Sequence, residues 1–574
     1  MVDLRRLSVG VDPAFWDEYD CVSFPVERLP GARVLWLNRG WWLAEGYNVD
    51  LPVERREIEA ALLTTFGVRS AMRNTDSNAA LLCDRYGSSF GSCHGGSGRS
   101  GISGRLMAKG IGRTPLAGPA QNLWHVDGHL SLGEAIREIV AGEIADAELP
   151  WGAVPGVALL VTGKSADDGD AILVRPSFLR PAHFERSLFF GNAGTRTSDQ
   201  YLEALHVRSM IARASDAPSM IGFPGLLTMF NRFADQIGAS HAHRLWQGKF
   251  LSSNATIYGA LADFGSFRTV PSWNHFVGLP DETFGGELAY LDIAFQSLVK
   301  NFRRHGEMPP QDEISNVRTG LLAQTQQAFG VGVITALGLE RARPPTQSAV
   351  IALFQSYFRY QQRTRLAIRD IPNYSLPWIH ALLTDMGDVS DDEEKLITRF
   401  LDLCSGDQAL ESATLLWRLA NWTCPRSSMS YEGSTDALDT LALRIDQETD
   451  GGAHLIGQTI DLMLADSWRG LAIPSNIKIH CQGASDGTVV SYGTSDQDGA
   501  SVVVVSTYLL DSASRAPDFS RSSVDSHRRR SWTVCCDPET SVSGGQVVIE
   551  GKVVEVPPAS FHYPNLASRW RDNT

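Results

Sequence analysis

The chain has 574 residues, 43% of them apolar and 20% charged, too hydrophobic for a disordered protein and long enough to bury more than one core. Its formal charge of −14 and pI near 5.5 argue against a nucleic-acid binder, because neutralising several phosphates takes a clustered Lys/Arg surface; the basic run Arg528-Arg529-Arg530 reads as a solvated loop. Eight cysteines without a Cys-x-x-Cys pair fit reduced thiols in the cytoplasm better than a disulfide framework or a zinc site.

The opening residues, MVDLRRLSVGVDPAFW, hold no apolar stretch of secretory length. The longest apolar runs, Val154 to Val161 and Ser501 to Leu510, fall far short of the roughly 20 residues that span a bilayer, so no membrane partner is expected. From Ala32 to Arg180 short apolar runs broken by glycine predict a sheet-dominated lobe, with strands at Gly104 to Ala108, Gly156 to Thr162 and Ala171 to Val174. One helix is expected there. It begins at Ser131, whose hydroxyl can cap the first turn with Glu134 three residues on, and its apolar residues Leu132, Ile136, Ile139, Val140 and Ile144 share a face. Glu143 falls inside that stripe and, if buried, needs a partner. From Ser198 to about Gly470 the period turns helical, as in Gly286 to Phe302, Gln347 to Tyr360 and Leu455 to Trp468. After Pro474 the composition shifts to Ser, Gly, Val and Thr, with strand-like runs at Gly499 to Tyr508 and Gly545 to Val556. The expected organisation is an α+β chain with a β-rich nucleotide-binding N-lobe over 1–190, a helical C-lobe over 191–475 and a β-rich module over 476–574.

Residues Cys93 to Gly104, CHGGSGRSGISG, place five glycines in twelve positions ahead of a strand that ends in Lys109. Glycines at this density let backbone N–H groups close on phosphate oxygens, with Arg99 and Lys109 to neutralise charge; alone, the same loop also reads as a surface turn. In kinase-type sites a strand lysine is held by a helix glutamate so that its ammonium points at phosphates. Glu138 has that place, opposite the apolar stripe of its helix and beside Ala141 and Ala145. Within the helical part the stretch 247–267 stands out as a loop, a strand-like run from Thr256 to Ala262 and then Asp263-Phe264-Gly265. Asn254 and Asp263, nine residues apart, offer the amide oxygen and carboxylate that Mg2+ or Mn2+ takes as hard ligands. His241 and His243 nearby lack a third ligand and read as structural.

In this order the residues resemble the selenoprotein-O protein adenylyltransferases, pseudokinase-related enzymes that bind ATP inverted and transfer AMP. The resemblance rests on Lys109 to Pro115 (KGIGRTP), Asp127-Gly128, Ile136-Arg137-Glu138, Arg175, Arg180 and the segment Asn254 to Gly265, and it covers roughly residues 80 to 270. It implies a protein-kinase-like two-lobed fold in which Gly96, Gly98, Arg99, Lys109, Asp127, Gly128, Arg175 and Arg180 contact ATP. It also implies that Glu138 orients Lys109 and that Asn254 and Asp263 hold the metal, with Lys109, Glu138 and Asp263 as the catalytic set.

The chain departs from the family pattern in three places. The family's GDGR loop reads Gly96-Ser97-Gly98-Arg99, extra residues separate Pro115 from Asp127, and the step from Arg175 to Arg180 is shorter. The aspartate that precedes the metal-binding asparagine is Ser253, and the preceding histidine is Gln247. A hydroxyl attacking phosphorus gains about 10²- to 10⁴-fold from a placed base, whereas a carboxylate, with a reference pKa of roughly 3.5 to 4.3, is already ionised at neutral pH. The acceptor expected is therefore a protein, peptide or small acid, through a hydroxyl or through a carboxyl activated as an acyl-adenylate; a fainter resemblance to the microcin-maturation branch points to the carboxyl. Kinase-type γ-phosphoryl transfer and a non-catalytic nucleotide-binding scaffold stand as alternatives, and the helical lobe or terminal module can carry the acceptor or a partner subunit.

Overall fold

The computed structural model of the chain describes residues 2–71, 79–88, 94–118, 127–162, 171–187, 197–216, 222–278, 282–306, 308, 310–367, 391–407, 415, 418, 419 and 422, and the backbone of seven strands between 478 and 555. The expected helix at Leu455 to Trp468, the boundary at Pro474, Cys93, the arginine run 528–530 and Cys536 lie outside the described residues.

Strands β1 (Cys21–Arg28), β2 (Arg33–Leu37), β3 (Val68–Ser70), β4 (Ala80–Asp84), β5 (Ser100–Ser103), β6 (Leu106–Lys109), β7 (Ala158–Val161) and β8 (Ala171–Pro176) form one sheet. Its order is β2-β7-β8-β6-β5-β4-β1-β3 and its pairings are antiparallel. Three strands match the expected runs; β6 starts at Leu106 because Gly104, at φ +61°, turns the β5–β6 hairpin. The expectation of a single helix in this region is corrected by α1 (Arg39–Ala44) and α2 (Pro52–Phe66). Ile58, Leu62 and Phe66 recur every fourth residue among Glu and Arg, a narrow stripe that becomes a helix once it has a sheet face to cover.

Side chains alternate across β6 and β8. Leu106, Ala108, Ile172 and Val174 pack with Ile58, Leu62 and Phe66 of α2, while Ala171 and Leu173 pack with Ile136, Ile139 and Val140 of α3 (Leu132–Glu148). The same alternation puts Lys109 and Arg175 on the α3 face. Ser131 caps α3 as expected, its Oγ accepting the Glu134 N–H at 3.1 Å.

Beyond the sheet the described chain is mainly helical: α4 (Thr197–Asp216), α5 (Leu226–His243), α6 (Glu287–His305), α7 (Gln311–Leu337), α8 (Pro344–Gln361) and α9 (Asp391–Ser405). Val207, Phe230, Phe233, Phe295 and Leu298 of α4 to α6 join the core that holds α3, so one apolar cluster runs from the sheet into the helices. A separate cluster joins Val333 and Leu337 to Phe354 and Phe400. The stretch 247–267 leaves and returns through a two-residue ladder, β9 (Leu245–Trp246) against β10 (Arg268–Thr269). Its expected strand, Thr256 to Ala262, is a tight turn: Gly259 sits at φ +103° and Thr256 Oγ1 accepts the N–H groups of Tyr258 and Ala260 at 3.3 and 3.2 Å. Bridges from Leu261 to Ala255 and to Ala153 replace a ladder, since the threonine hydroxyl competes with the partner strand for those amides.

After a short parallel pair, β11 (His275–Val277) with β12 (Arg365–Ala367), the strands β13 (Lys478–Gly483), β14 (Thr488–Gln497), β15 (Ala500–Leu509) and β16 (Ser531–Cys535) form an antiparallel sheet toward the C-terminus, and β17 (Thr540–Ser543), β18 (Gln546–Ile549) and β19 (Lys552–Glu555) a second. The run Gly499 to Tyr508 corresponds to β15, and Gly545 to Val556 divides into β18 and β19. The described architecture is mixed α+β, with the antiparallel sheet first and the helices after it. Among the described residues no helix is long and apolar enough to cross a membrane.

Candidate functional site

Lys109 ends β6 facing α3, and its ammonium donates to Glu138 Oε1 in a pair whose side chains are 5% and 1% exposed. The face of α3 opposite its apolar stripe is therefore turned inward, onto the strand lysine. Arg175, diagonal to Lys109 in the β6–β8 register, brings Nη1 to 3.7 Å from Glu138 Oε2 and donates to Ala262 O at 2.7 Å. Asp263 follows Ala262, and its Oδ1 lies 3.6 Å from Lys109 Nζ. Four separate stretches, β6, α3, β8 and the Asp263 turn, meet here. Burial works to raise the Asp263 carboxyl, but Lys109, Arg175, Arg180 and Arg99 hold it well below the usual carboxylate range. Its side chain keeps 42% exposure, so this anion is fixed yet open to an incoming cation.

Phe264 explains why Asp263 stays put. It is buried in the α3 core, edge-on to Phe267 at 5.6 Å, and its ring lies against Gly142 of the helix. Arg137 Nη2 donates to Phe267 O at 2.7 Å from the same helix. The segment before it is ordered by its own amides: Ala262 N donates to Asn254 O at 2.9 Å, and Asn254 Nδ2 donates to Lys249 O at 3.1 Å. That second bond turns Oδ1 the other way, where Ser253 Oγ donates to it at 3.0 Å. One lone pair of the amide oxygen remains for a further partner. Gln247 donates through Nε2 to Asn254 O at 3.2 Å.

The glycine loop folds onto β4 and β6. Gly96 is required by packing, since a Cβ there would lie 2.1 Å from Asp84 O, and a Cβ on Gly98 would meet the His94 ring at 2.8 Å. Thr114, within the KGIGRTP run, ties the loop down: its Oγ1 donates to Ser97 O at 2.6 Å and its N–H to Gly98 O at 3.0 Å. Arg99 donates to Glu134 Oε1 and to His129 O, both at 2.7 Å. Glu134, expected to complete a capping box, thus presents its carboxylate to Arg99. Gly128, at φ +81°, lets the chain cross Gly112 and Arg113 with a Cβ distance of only 2.1 Å. Asp127 is exposed and accepts the N–H of His129 at 3.0 Å, the residue whose carbonyl takes Arg99.

Arg180 enters from the turn after β8. Its guanidinium lies over Phe178 and Tyr86, 4.3 and 4.9 Å from the ring centroids, and donates to Ser253 O. The shortened spacing therefore still delivers both arginines, because one stays on the strand and the other rounds Phe178. Residues that the sequence reading passes over also belong here: Tyr86, Phe178, the Glu185 carboxylate that takes the Ser252 hydroxyl, and the Asp84–His183 pair at 3.1 Å. A polar run, Asp84-Arg85-Tyr86, at the end of the apolar stretch Ala80 to Cys83 was the available signal. His241 and His243 pair with Glu287 at 2.8 Å and Glu148 at 3.3 Å, the structural role anticipated for them.

Lys109, Arg99, Arg175 and Arg180 converge here on Glu138, Asp263 and Glu134. Arg175 Nε and Arg180 Nε are buried with no hydrogen-bond partner among the described residues. A guanidinium is a planar donor of the kind that pairs with phosphate or carboxylate oxygens. Among the described residues no cluster of three or more His, Cys, Asp and Glu is arranged to hold a metal. One carboxylate and one amide oxygen, Asp263 and Asn254, fit an ion that takes its other ligands from phosphates and water. No protein-family model matches this chain, and no curated protein matches it.

Proposed function

We propose that this chain binds ATP with Mg2+ or Mn2+ in a kinase-like two-lobed arrangement, in the manner of the selenoprotein-O adenylyltransferases, and transfers AMP to an acceptor. In this reading residues 1–190 hold the nucleotide, 191–475 supply the metal segment, and the β-rich module over 476–574 is an accessory. The observation that carries it is the meeting of Lys109, Glu138, Arg175 and Asp263 from four separate stretches. Ion pairs on a surface are common and weak, but a lysine and glutamate this buried, with an open carboxylate beside them, need a task for their charge.

Glu138 fixes the Lys109 ammonium, so that lysine, Arg175 and Arg180 present fixed positive charge to phosphate oxygens without reorganising. Asp263 and Asn254 would hold the metal, which offsets charge on those oxygens when bound. An acceptor oxygen then forms a bond to the α-phosphorus while the bond to the β-phosphate bridge breaks and pyrophosphate leaves. Ser253 points its proton at Asn254 Oδ1, so it is engaged as a donor and does not replace the lost base. That observation favours a carboxylate acceptor, which has no proton to surrender, and hence peptide or small-acid activation as an acyl-adenylate.

The test is incubation of the full chain with Mg2+ or Mn2+ and ATP labelled at the α or γ phosphate, with candidate acids and proteins present. Label from the α position on protein, or acid-dependent pyrophosphate release, is expected. Transfer of γ label alone would make the chain a kinase, and binding without turnover would make it a nucleotide-binding scaffold.

A further inference from the structure

Asp84, the last residue of β4, is buried and touches both halves of the site. Its backbone oxygen accepts the N–H of Ser97 at 2.9 Å, in the glycine loop. Its carboxylate Oδ2 lies 3.1 Å from His183 Nε2. His183 Nδ1 in turn lies 2.9 Å from the backbone N and 3.2 Å from the backbone O of Arg180. The turn that His183 closes, Pro181–Phe184, is what the metal segment rests on: Arg180 donates to Ser253 O, Ala182 N donates to Ser252 O at 3.1 Å, and Glu185 takes the Ser252 hydroxyl. One hydrogen-bonded path therefore runs from the glycine loop through Asp84 and His183 to the residue beside Asn254. Burial works to raise the Asp84 carboxyl, but the hydrogen bond and charge of His183, with Arg180 behind it, bring it down to about 2. It is a charge throughout the neutral range, and a charge at this depth is retained only where something holds it.

We propose that Asp84 and His183 are positioning residues that fix the glycine loop and the segment Ser252 to Asn254 in one register, so that both close on the same nucleotide. The functional consequence rests on the reading above; the register itself rests on the hydrogen-bond path alone. Neither residue touches a substrate atom in this scheme, and each acts through Ser97 and Arg180.

Amide hydrogen exchange on the ligand-free full chain, comparing wild type with His183→Gln and Asp84→Asn, tests the register without any ligand. Exchange in 95–99 and in 251–254 is expected to speed together, on the order of tenfold to a hundredfold for His183→Gln, the size of a lost hydrogen bond to a charged group, while α7 holds its protection. Faster exchange in only one of the two segments, or in neither, overturns the proposal. Should His183→Gln lose protection in α7 as well, Asp84→Asn, which keeps the size and a hydrogen-bonding group for Nε2, decides by a smaller joint increase. ATP affinity with Mg2+ then supplies a cycle between Asp84→Asn and Arg180→Lys. The double variant is expected to lose no more than the worse single one, whereas additive losses would place Asp84 outside the path to Arg180. If wild type binds no ATP while the two segments still move together, the nucleotide reading fails and the positioning stands.

Discussion

Helix α3 carries several buried carboxylates, and the molecule treats two of them, on two faces, in opposite ways. Glu138 meets Lys109 and Arg175 and stands within a network of fixed charge. Glu143 meets Asn38, whose Nδ2 donates to its Oε1 at 2.7 Å and to Gly156 O at 2.9 Å. Burial, helped by Asp146, pushes the Glu143 carboxyl up to about 8 against the pull of that amide. The helix, its solvent exclusion and the residue type are the same; the difference is a cation against a neutral donor. Glu138 is thus held among cations at the site, and the opposite face ties α1 to the sheet with an acid that is neutral at pH 7.

The largest expected effect comes from the charge-bearing side. Asp263→Ala removes the open anion of the network, and metal-dependent α-label transfer should fall on the order of 10²- to 10³-fold, the cost of deleting a fixed electrostatic group at a reaction centre. Retained transfer would detach Asp263 from the chemistry. Next, Lys109→Met leaves Glu138 buried with Arg175 alone, and a cost of about 3 kcal/mol in chemical denaturation is expected; a neutral outcome would mean that the pair is dispensable to the fold and that its role is purely functional.

The neutral face is tested through pH. The folded-state pKa of Glu143 is raised from the ordinary 4.5 to about 8, so its contribution is fully present below about 4.5 and is lost as pH rises through about 8. Glu143→Gln keeps the hydrogen-bonding shape without that loss. Its stability advantage over wild type should grow by about 1.4 kcal/mol between pH 6 and pH 7, read from denaturation midpoints at the two values. A flat difference would put the charge of Glu143 back on a par with that of Glu138. The smallest effect is expected at the rim: Arg99→Lys gives up the fork that serves Glu134 and His129 O together, and ATP affinity should weaken by about 1 kcal/mol or roughly fivefold.

Much of this arrangement is legible in the residues. The cap at Ser131, the place of Glu138 opposite the apolar stripe, the need of Glu143 for a partner, the strand ending in Lys109 and the strand over Ala171 to Val174 all follow from periods of 3.6 and 2.0 that any soluble element must show. Local chemistry also accounts for the change from sheet to helices near 197 and for the strands after 478. Three things needed the third dimension. The run Thr256 to Ala262 has strand composition, yet the Thr256 hydroxyl and Gly259 close it into a turn, because propensity yields to whichever partner reaches the amide first. The stripe on α2 gains meaning only beside the sheet face that it covers.

The identity of partners was the last to be decided. The sequence by itself determined which residues carry charge and at which end of which element they stand; beyond the Lys109–Glu138 pair it says nothing of which charges meet. Asn38 for Glu143 is 105 positions away and His183 for Asp84 is 99 positions away. No local preference encodes such a pairing. It arises when the β6–β8 register and the packing of α3 bring distant polar groups into a space without water, where each must find a partner or give up its charge.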